Sequence, residues 1–169
     1  MANRNAFYTH QPVLQHVLNT INTGDVLEFG VGEGSTHIMH KVCYEQNRRL
    51  VSIEGSKEWL GKYLAYETLN HTLAHFTVDG ILTKEYQFFK EKFSIVFVDA
   101  APAEIRMAFI LLMKNNVDYF IVHDTEPIAT AYGWNFSMFK HVLHYKKETP
   151  WTTILSNLDT IDANLLKIF

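Results

Sequence analysis

The chain has 169 residues, a formal net charge of −3, 47% hydrophobic and 20% charged residues. That length and balance predict one domain with its own core, and exclude a disordered chain or a general electrostatic attraction to nucleic acid. A lone cysteine, Cys43, excludes an internal disulfide and a cysteine-based zinc site, and no apolar run approaches the roughly 20 residues of a membrane span, so a soluble cytoplasmic protein is expected.

Pro12 predicts the start of a helix over residues 12–22, with Val13, Val17 and Ile21 on its buried stripe. Residues 25–30 read as a buried strand, 35–47 as a helix, and 50–54 as a second strand. A helix over 57–70, a third strand over 74–78 and a helical stretch within 81–91 follow. Residues 93–98 are almost wholly apolar, as a central parallel strand should be. A helix over 104–115, a strand over 119–122 and a helix over 136–145 complete the alternation. Residues 151–155 and 164–169 read as a closing strand pair, antiparallel because the loop between them is short. Alternating strands and helices predict an α/β fold, a sheet covered on both faces, with ligands beyond the carboxyl ends of its strands.

The residues at those ends carry the chemistry. After the first strand comes Glu28-Phe29-Gly30-Val31-Gly32-Glu33-Gly34-Ser35. Alternating glycines let backbone approach a ligand closely, and Ser35 can cap the following helix. Glu54 ends the second strand, where a carboxylate can accept from both hydroxyls of a ribose; the bland alternative is an acid beside a helix start. Asp79-Gly80 follows the third strand, either as an acceptor for an exocyclic amine or as a plain turn. Asp99-Ala100-Ala101-Pro102 follows the fourth, and His123-Asp124-Thr125-Glu126 the fifth.

This arrangement resembles the class I S-adenosylmethionine-dependent methyltransferases over about residues 25–169. Residues 28–34 match that family's acid-x-Gly-x-Gly-x-Gly motif. The resemblance implies a Rossmann-like three-layer αβα sandwich, with a seven-stranded mixed sheet in the order 3-2-1-4-5-7-6. It implies S-adenosylmethionine as cofactor. Glu28, Gly30, Gly32, Gly34 and Ser35 would serve its methionine half, and Glu54, Gly55, Ser56, Asp79 and Gly80 its nucleoside. Asp99 would border both cofactor and acceptor. Trp59 is either an adenine neighbour or core. Tyr8 and His10 either close over the cofactor or form a solvated arm. An NAD-binding Rossmann fold shares the loop and the ribose acid, but spaces its glycines G-x-G-x-x-G.

The segment after the fourth strand lacks the paired prolines and aromatic of amino-methylating DNA enzymes. A partial match is to catechol-type, metal-dependent O-methyltransferases, which carry acids after strands four and five. The match implies Asp99 and Asp124 as ligands for Mg²⁺ or another divalent ion, with Thr125 or His123 in the third place. Without a metal, His123 or Asp124 would be the general base, since histidine titrates near neutrality; a histidine bonded to a neighbouring loop is the plain alternative. Tyr132, Gly133, Trp134 and Phe136 either build an acceptor pocket or pack as core. The expectation is methyl transfer to a small molecule at oxygen, with Asp99, His123 and Asp124 as catalytic residues and an oligomer partner as one source of selectivity. A protein or RNA methyltransferase, and a non-catalytic S-adenosylmethionine-binding regulator, are the alternatives. His141 and His144 are expected on one helix face, and His37 and His40 as solvated residues.

Overall fold

The computed structural model describes residues 5–127 and 132–169. Seven strands form one sheet: β1 (Val26–Phe29), β2 (Leu50–Glu54), β3 (His71–His75), β4 (Phe93–Val98), β5 (Val117–His123), β6 (His141–Tyr145) and β7 (Thr152–Ser156), in the order β3-β2-β1-β4-β5-β7-β6. The first five pair in parallel; β7 pairs antiparallel with both β5 and β6. The helices are α1 (Gln11–Thr20), α2 (Thr36–Glu45), α3 (Lys57–Gly61), α4 (Val78–Leu82) and α5 (Ile105–Met113).

The two-residue period of the strands divides the core. Leu27, Phe29, Val96, Val98, Phe120 and Val122 face one side, where α5 packs; Phe29 stacks on Phe109 with ring centroids 4.0 Å apart. Val26, Ile95, Phe97 and Ile121 face the other, against Val13, Leu14, Val17 and Leu18 of α1 and Ile38 and Met39 of α2. Every residue of β1 is buried, Glu28 included.

Four local expectations are corrected. The third strand runs three residues earlier, because Thr77 leaves it to cap α4, accepting from the Gly80 N–H. Asp79 therefore lies within α4. The helix expected over 57–70 ends at Gly61, followed by a 3₁₀ turn at Leu64–Tyr66. Residues expected in the helix over 136–145 instead supply β6. There Val142 packs toward the α5 side while Leu143 and Tyr145 pack toward the α1 side, a period of two in a segment whose apolar spacing also fits a helix. His141 and His144 consequently point to opposite faces. The terminal strand is a 3₁₀ helix, Ala163–Ile168, started by Asp162 accepting from the Asn164 N–H; it lays the buried Leu165 against the α1 side of the sheet. The closing hairpin is thus β6–β7, one segment earlier than expected, although the strand order holds.

Candidate active site

The chain leaves β1 with Gly30 at φ +100°, passing so close to the end of β4 that an added Cβ would stand 2.5 Å from the Ala100 backbone. Only a residue without a side chain fits that crossing. At Gly34 a Cβ would run into the Phe7 carbonyl oxygen and stand 2.8 Å from His10 Cε1, so this glycine lets the N-terminal arm lie on the loop. Gln11 fastens the arm, donating to the Gly34 carbonyl at 3.0 Å, and Tyr8 donates to Glu33 at 3.2 Å. Gly32 differs: its missing Cβ would meet only Ser35 Oγ, at 3.8 Å, leaving room on the cleft side.

Two carboxylates hold this loop from below. Glu28 accepts from Ser35 Oγ at 2.6 Å, Thr36 Oγ1 at 2.9 Å and Ser52 Oγ at 2.6 Å. Burial pushes its pKa up to about 7 despite those three hydroxyls, and the nearby charge of Glu54 adds to the rise. Glu54 accepts from the Val31 N–H at 3.0 Å and the Ser56 N–H at 2.8 Å, tying the end of β2 to the glycine loop. Trp59 donates to the Val31 carbonyl at 2.7 Å and lines the cleft.

The cleft at the carboxyl ends of β1, β4 and β5 holds about 400 Å³. Gly30 through Ser35 form one wall, Ala6, Phe7 and His10 of the arm another, and Asp99, Arg106, His123 and Asp124 the floor. A second, more open depression of about 410 Å³ lies at the ends of β2 and β3, lined by Glu54, Gly55, Ser56, Phe76, Thr77 and Pro102 among others. Sequence-predicted residues thus fall in two groups around the β1 crossing. Glu28 lies beneath the loop and away from both walls, and Asp79 lies on α4 outside both hollows, where Phe76, Thr77 and Val78 stand instead. Gly80 packs against Glu85 and Tyr86.

The floor is a charge cluster. Arg106 donates through one guanidinium nitrogen to Asp124 Oδ2 at 3.0 Å and through the other to Asp99 Oδ1 at 2.9 Å, while its Nε donates to the Ala100 carbonyl at 2.6 Å. Asp124, held at φ +58°, also accepts from Tyr132 at 3.2 Å, and Trp134 donates to its carbonyl at 2.8 Å. Tyr132 and Trp134 are stacked, with centroids 5.5 Å apart. His123 Nδ1 stands 3.2 Å from Asp99 Oδ2 and 3.4 Å from Asp124 Oδ1, and its Nε2 is 2.9 Å from the Thr9 hydroxyl. Burial would lower the pKa of His123, but the hydrogen bond and charge of Asp99, joined by Asp124, outweigh it and raise the value. Burial likewise works to raise Asp99, yet His123 and Arg106 hold it below the usual carboxylate range. Both ring nitrogens of His123 are thus engaged, which does not suit a base facing the cleft.

His10 is the contrasting imidazole. It packs edge-on to His123, with centroids 4.7 Å apart, and against Phe97. Neither ring nitrogen makes a well-formed hydrogen bond with a described residue, the Gly34 backbone lying alongside. Burial and the charge of His123 push its pKa down to about 4, so it is neutral at pH 7.

The guanidinium between Asp99 and Asp124 bears on the implied metal. A hard divalent ion bridging the two acids would compete with a cation that each already binds, so the pair does not fit such an ion. Thr125 is turned away, its hydroxyl 2.6 Å from that of Thr153. Sequence reading missed Arg106, although one charge inside the apolar run Ile105–Met113 is the usual mark of a buried partner.

Strand order, glycine loop and cleft position together are those of the class I methyltransferase fold. Solved structures agree. The chain superposes on the O-methyltransferase TomG from Streptomyces achromogenes, involved in tomaymycin synthesis and solved with SAM, at 17% identity and TM-score 0.56, covering 88% of this chain and 80% of that one. It superposes on human methyltransferase-like protein 13 with SAH at 12% identity and TM-score 0.62, covering 95% and 86%. An O-methyltransferase from Bacillus cereus with SAH gives 12% identity and TM-score 0.59, covering 92% and 84%. No family model and no curated protein matches the sequence. Among the described residues no helix is long and apolar enough to cross a membrane.

Proposed function

We propose that this protein transfers a methyl group from S-adenosylmethionine to a small-molecule acceptor, at oxygen. The observation that carries the reading is the glycine loop locked to Glu54 at the mouth of the cleft. Its backbone is exposed where Gly32 leaves space, and its acid keeps lone pairs beyond the two N–H groups it accepts. S-adenosylmethionine supplies a methyl group already activated on sulfur. The chain must therefore chiefly hold the acceptor in line and exclude water.

Gly30, Gly32 and Ser35 would meet the methionine half. Glu54, Gly55 and Ser56 would meet the ribose and base, beside Phe76 and Pro102. Asp99 and Asp124, oriented by Arg106, would present acceptor oxygens to the cleft, and His123 would fix Asp99. A small acceptor is supported by the floor's charge: Arg106 is its cation, and both of its ends are taken by carboxylates, which gives a polyanion no landing site.

The test is calorimetric titration with S-adenosylmethionine in chelator, followed by transfer of labelled methyl from S-adenosylmethionine into a metabolite extract. Saturable binding, weakened about 10–100-fold in Glu54→Gln by loss of charge-assisted hydrogen bonds, is expected. Folded wild type that shows no saturable binding would overturn the cofactor reading. Binding without transfer would favour the regulatory alternative.

A further inference from the structure

We propose that His10, Asp99 and His123 form a binding site for one divalent transition-metal ion, and that this ion clamps the N-terminal arm onto the sheet. One ligand atom from each of the three lies within 4.8 Å of those of the other two. Two imidazole nitrogens and one carboxylate are a donor set that suits zinc, iron and cobalt rather than Mg²⁺, which prefers oxygens. The side facing the cleft leaves positions open for water or an acceptor oxygen.

Three features of the surroundings support a built site. The first is His10 itself, 2% exposed, lining the cleft, with both ring nitrogens lacking a well-formed partner among the described residues. A buried polar group is ordinarily satisfied, so an imidazole with neither nitrogen in a well-formed hydrogen bond points to a ligand. The second is the outer shell. Thr9 Oγ1 lies 2.9 Å from His123 Nε2 and 3.0 Å from the Pro150 carbonyl. Donating to Pro150, it accepts from Nε2–H, so an ion would take the place of the Nδ1 proton that His123 now gives to Asp99. Arg106 holds the other oxygen of Asp99 at 2.9 Å, so Oδ2 remains on the histidine side. Ligands oriented by such hydrogen bonds are what metal sites require. The third is reach. Bonds of about 2.0–2.2 Å put tetrahedral ligands about 3.4 Å apart. His123 and Asp99 already stand at 3.2 Å, so closure asks for movement of His10, the ring that no well-formed hydrogen bond holds.

The site differs from an ion between Asp99 and Asp124, where Arg106 stands. It joins α1's leading edge to the ends of β4 and β5. Ion binding should therefore order Ala6–His10, the segment that walls the cleft.

The experiment titrates the purified, chelator-stripped full chain with Co²⁺ and Zn²⁺, without S-adenosylmethionine. It reads Co²⁺ ligand-field absorption and amide hydrogen exchange of the arm. Expected are one ion per chain, a visible spectrum of low-symmetry nitrogen–oxygen coordination displaced by Zn²⁺, and slowed exchange at residues 6–10. His10→Gln should weaken binding by about tenfold or more and abolish the slowed exchange, while Asp124→Asn keeps both. Each variant is checked for a wild-type circular dichroism spectrum; should His10→Gln fail to fold, His10→Asn takes its place, and the wild-type spectrum alone still reports imidazole ligation. Absence of saturable binding, binding unchanged by loss of His10, or loss with Asp124→Asn alone would each overturn the site. S-adenosylmethionine binding in chelator is a separate reading, so failure of one proposal is distinguishable from failure of the other.

Discussion

Arg106 stands between the ends of two strands, its guanidinium 3.0 Å from Asp124 and its second nitrogen 2.9 Å from Asp99. The arginine side chain is 8% exposed, the two acids 18% and 26%. Removing the cation leaves two carboxylates facing one another in a half-dry cleft. Breaking a fully buried pair costs about 3–5 kcal/mol; the partial exposure of the acids reduces this to about 2–3 kcal/mol for Arg106→Met. Urea unfolding at neutral pH should show that loss. Arg106→Lys should recover part of it, because a lysine keeps the charge but cannot grip both acids while donating to the Ala100 carbonyl.

Gly34 is tested by its contact with the arm. In Gly34→Ala the new methyl would collide with the Phe7 carbonyl and the His10 ring. The backbone of Phe7 must give way, because a carbonyl cannot rotate aside as a long side chain can. Hydrogen exchange at Thr9 through Leu14 should accelerate, and the Gln11 bond to the Gly34 carbonyl should be lost. A stability loss of about 1–3 kcal/mol is expected for such overpacking. Unchanged exchange in the arm would mean that the arm does not rest on this glycine.

How far the sequence foretells these contacts depends on their range. β2 and β4 are legible to the residue, because a short, mostly apolar and β-branched run bounded by polar residues has few alternatives. The segment 136–145 is not: its apolar spacing suits either period, and only pairing of Val142 with Leu155 decides it. Asp99, Asp124 and His123 are legible as strand-end residues, and the structure brings them together. The partner of both acids, Arg106, arrives from a helix seven residues beyond Asp99, a meeting that spacing cannot reveal. Nor can it reveal that Glu28 is spent on three hydroxyls beneath the loop, or that the third glycine serves the arm.

Two glycines, one outside the loop and one at its start, set the scale for substitution. Gly61 ends α3, is exposed and has nothing within 4 Å of its would-be Cβ, so Gly61→Ala should stabilise by about 0.5 kcal/mol through the unfolded chain. Gly30→Ala combines a positive φ with a 2.5 Å approach to backbone at Ala100, and should cost about 3 kcal/mol or more. Thermal unfolding of the pair should move in opposite directions.

A chain of side chains runs from Glu28 to the surface: Ser52 Oγ bonds Glu28 at 2.6 Å, His71 Nε2 is 2.8 Å from that hydroxyl, and His71 Nδ1 is 3.0 Å from His40 Nδ1. Glu28 and His71 titrate in opposite senses. Burial, then the charge of His40, lowers His71 from 6.5 to about 4, so the unfolded chain binds the proton more readily in that window. Stability from His71 is therefore present above about pH 6.5 and lost as pH falls toward 4. His10, also lowered to about 4, acts in the same direction. Glu28 is raised from 4.5 to about 7, so the folded chain binds its proton more readily, and stability from Glu28 is lost as pH rises through that window. Below pH 6.5 these two histidines, joined by His144, which burial also lowers, oppose one glutamate, and stability should climb with pH; just above, Glu28 and the raised His123 both give up protons that the folded chain holds more tightly, and the climb should reverse. Urea midpoints measured across this range should peak near pH 6.5. In His71→Gln the acid limb should be shallower, since one of its opposing protons is gone. In Glu28→Gln the decline toward pH 7 should be shallower, with His123 still contributing to it, while the acid limb steepens. An acid limb unchanged in His71→Gln would mean that this histidine does not carry the acid sensitivity.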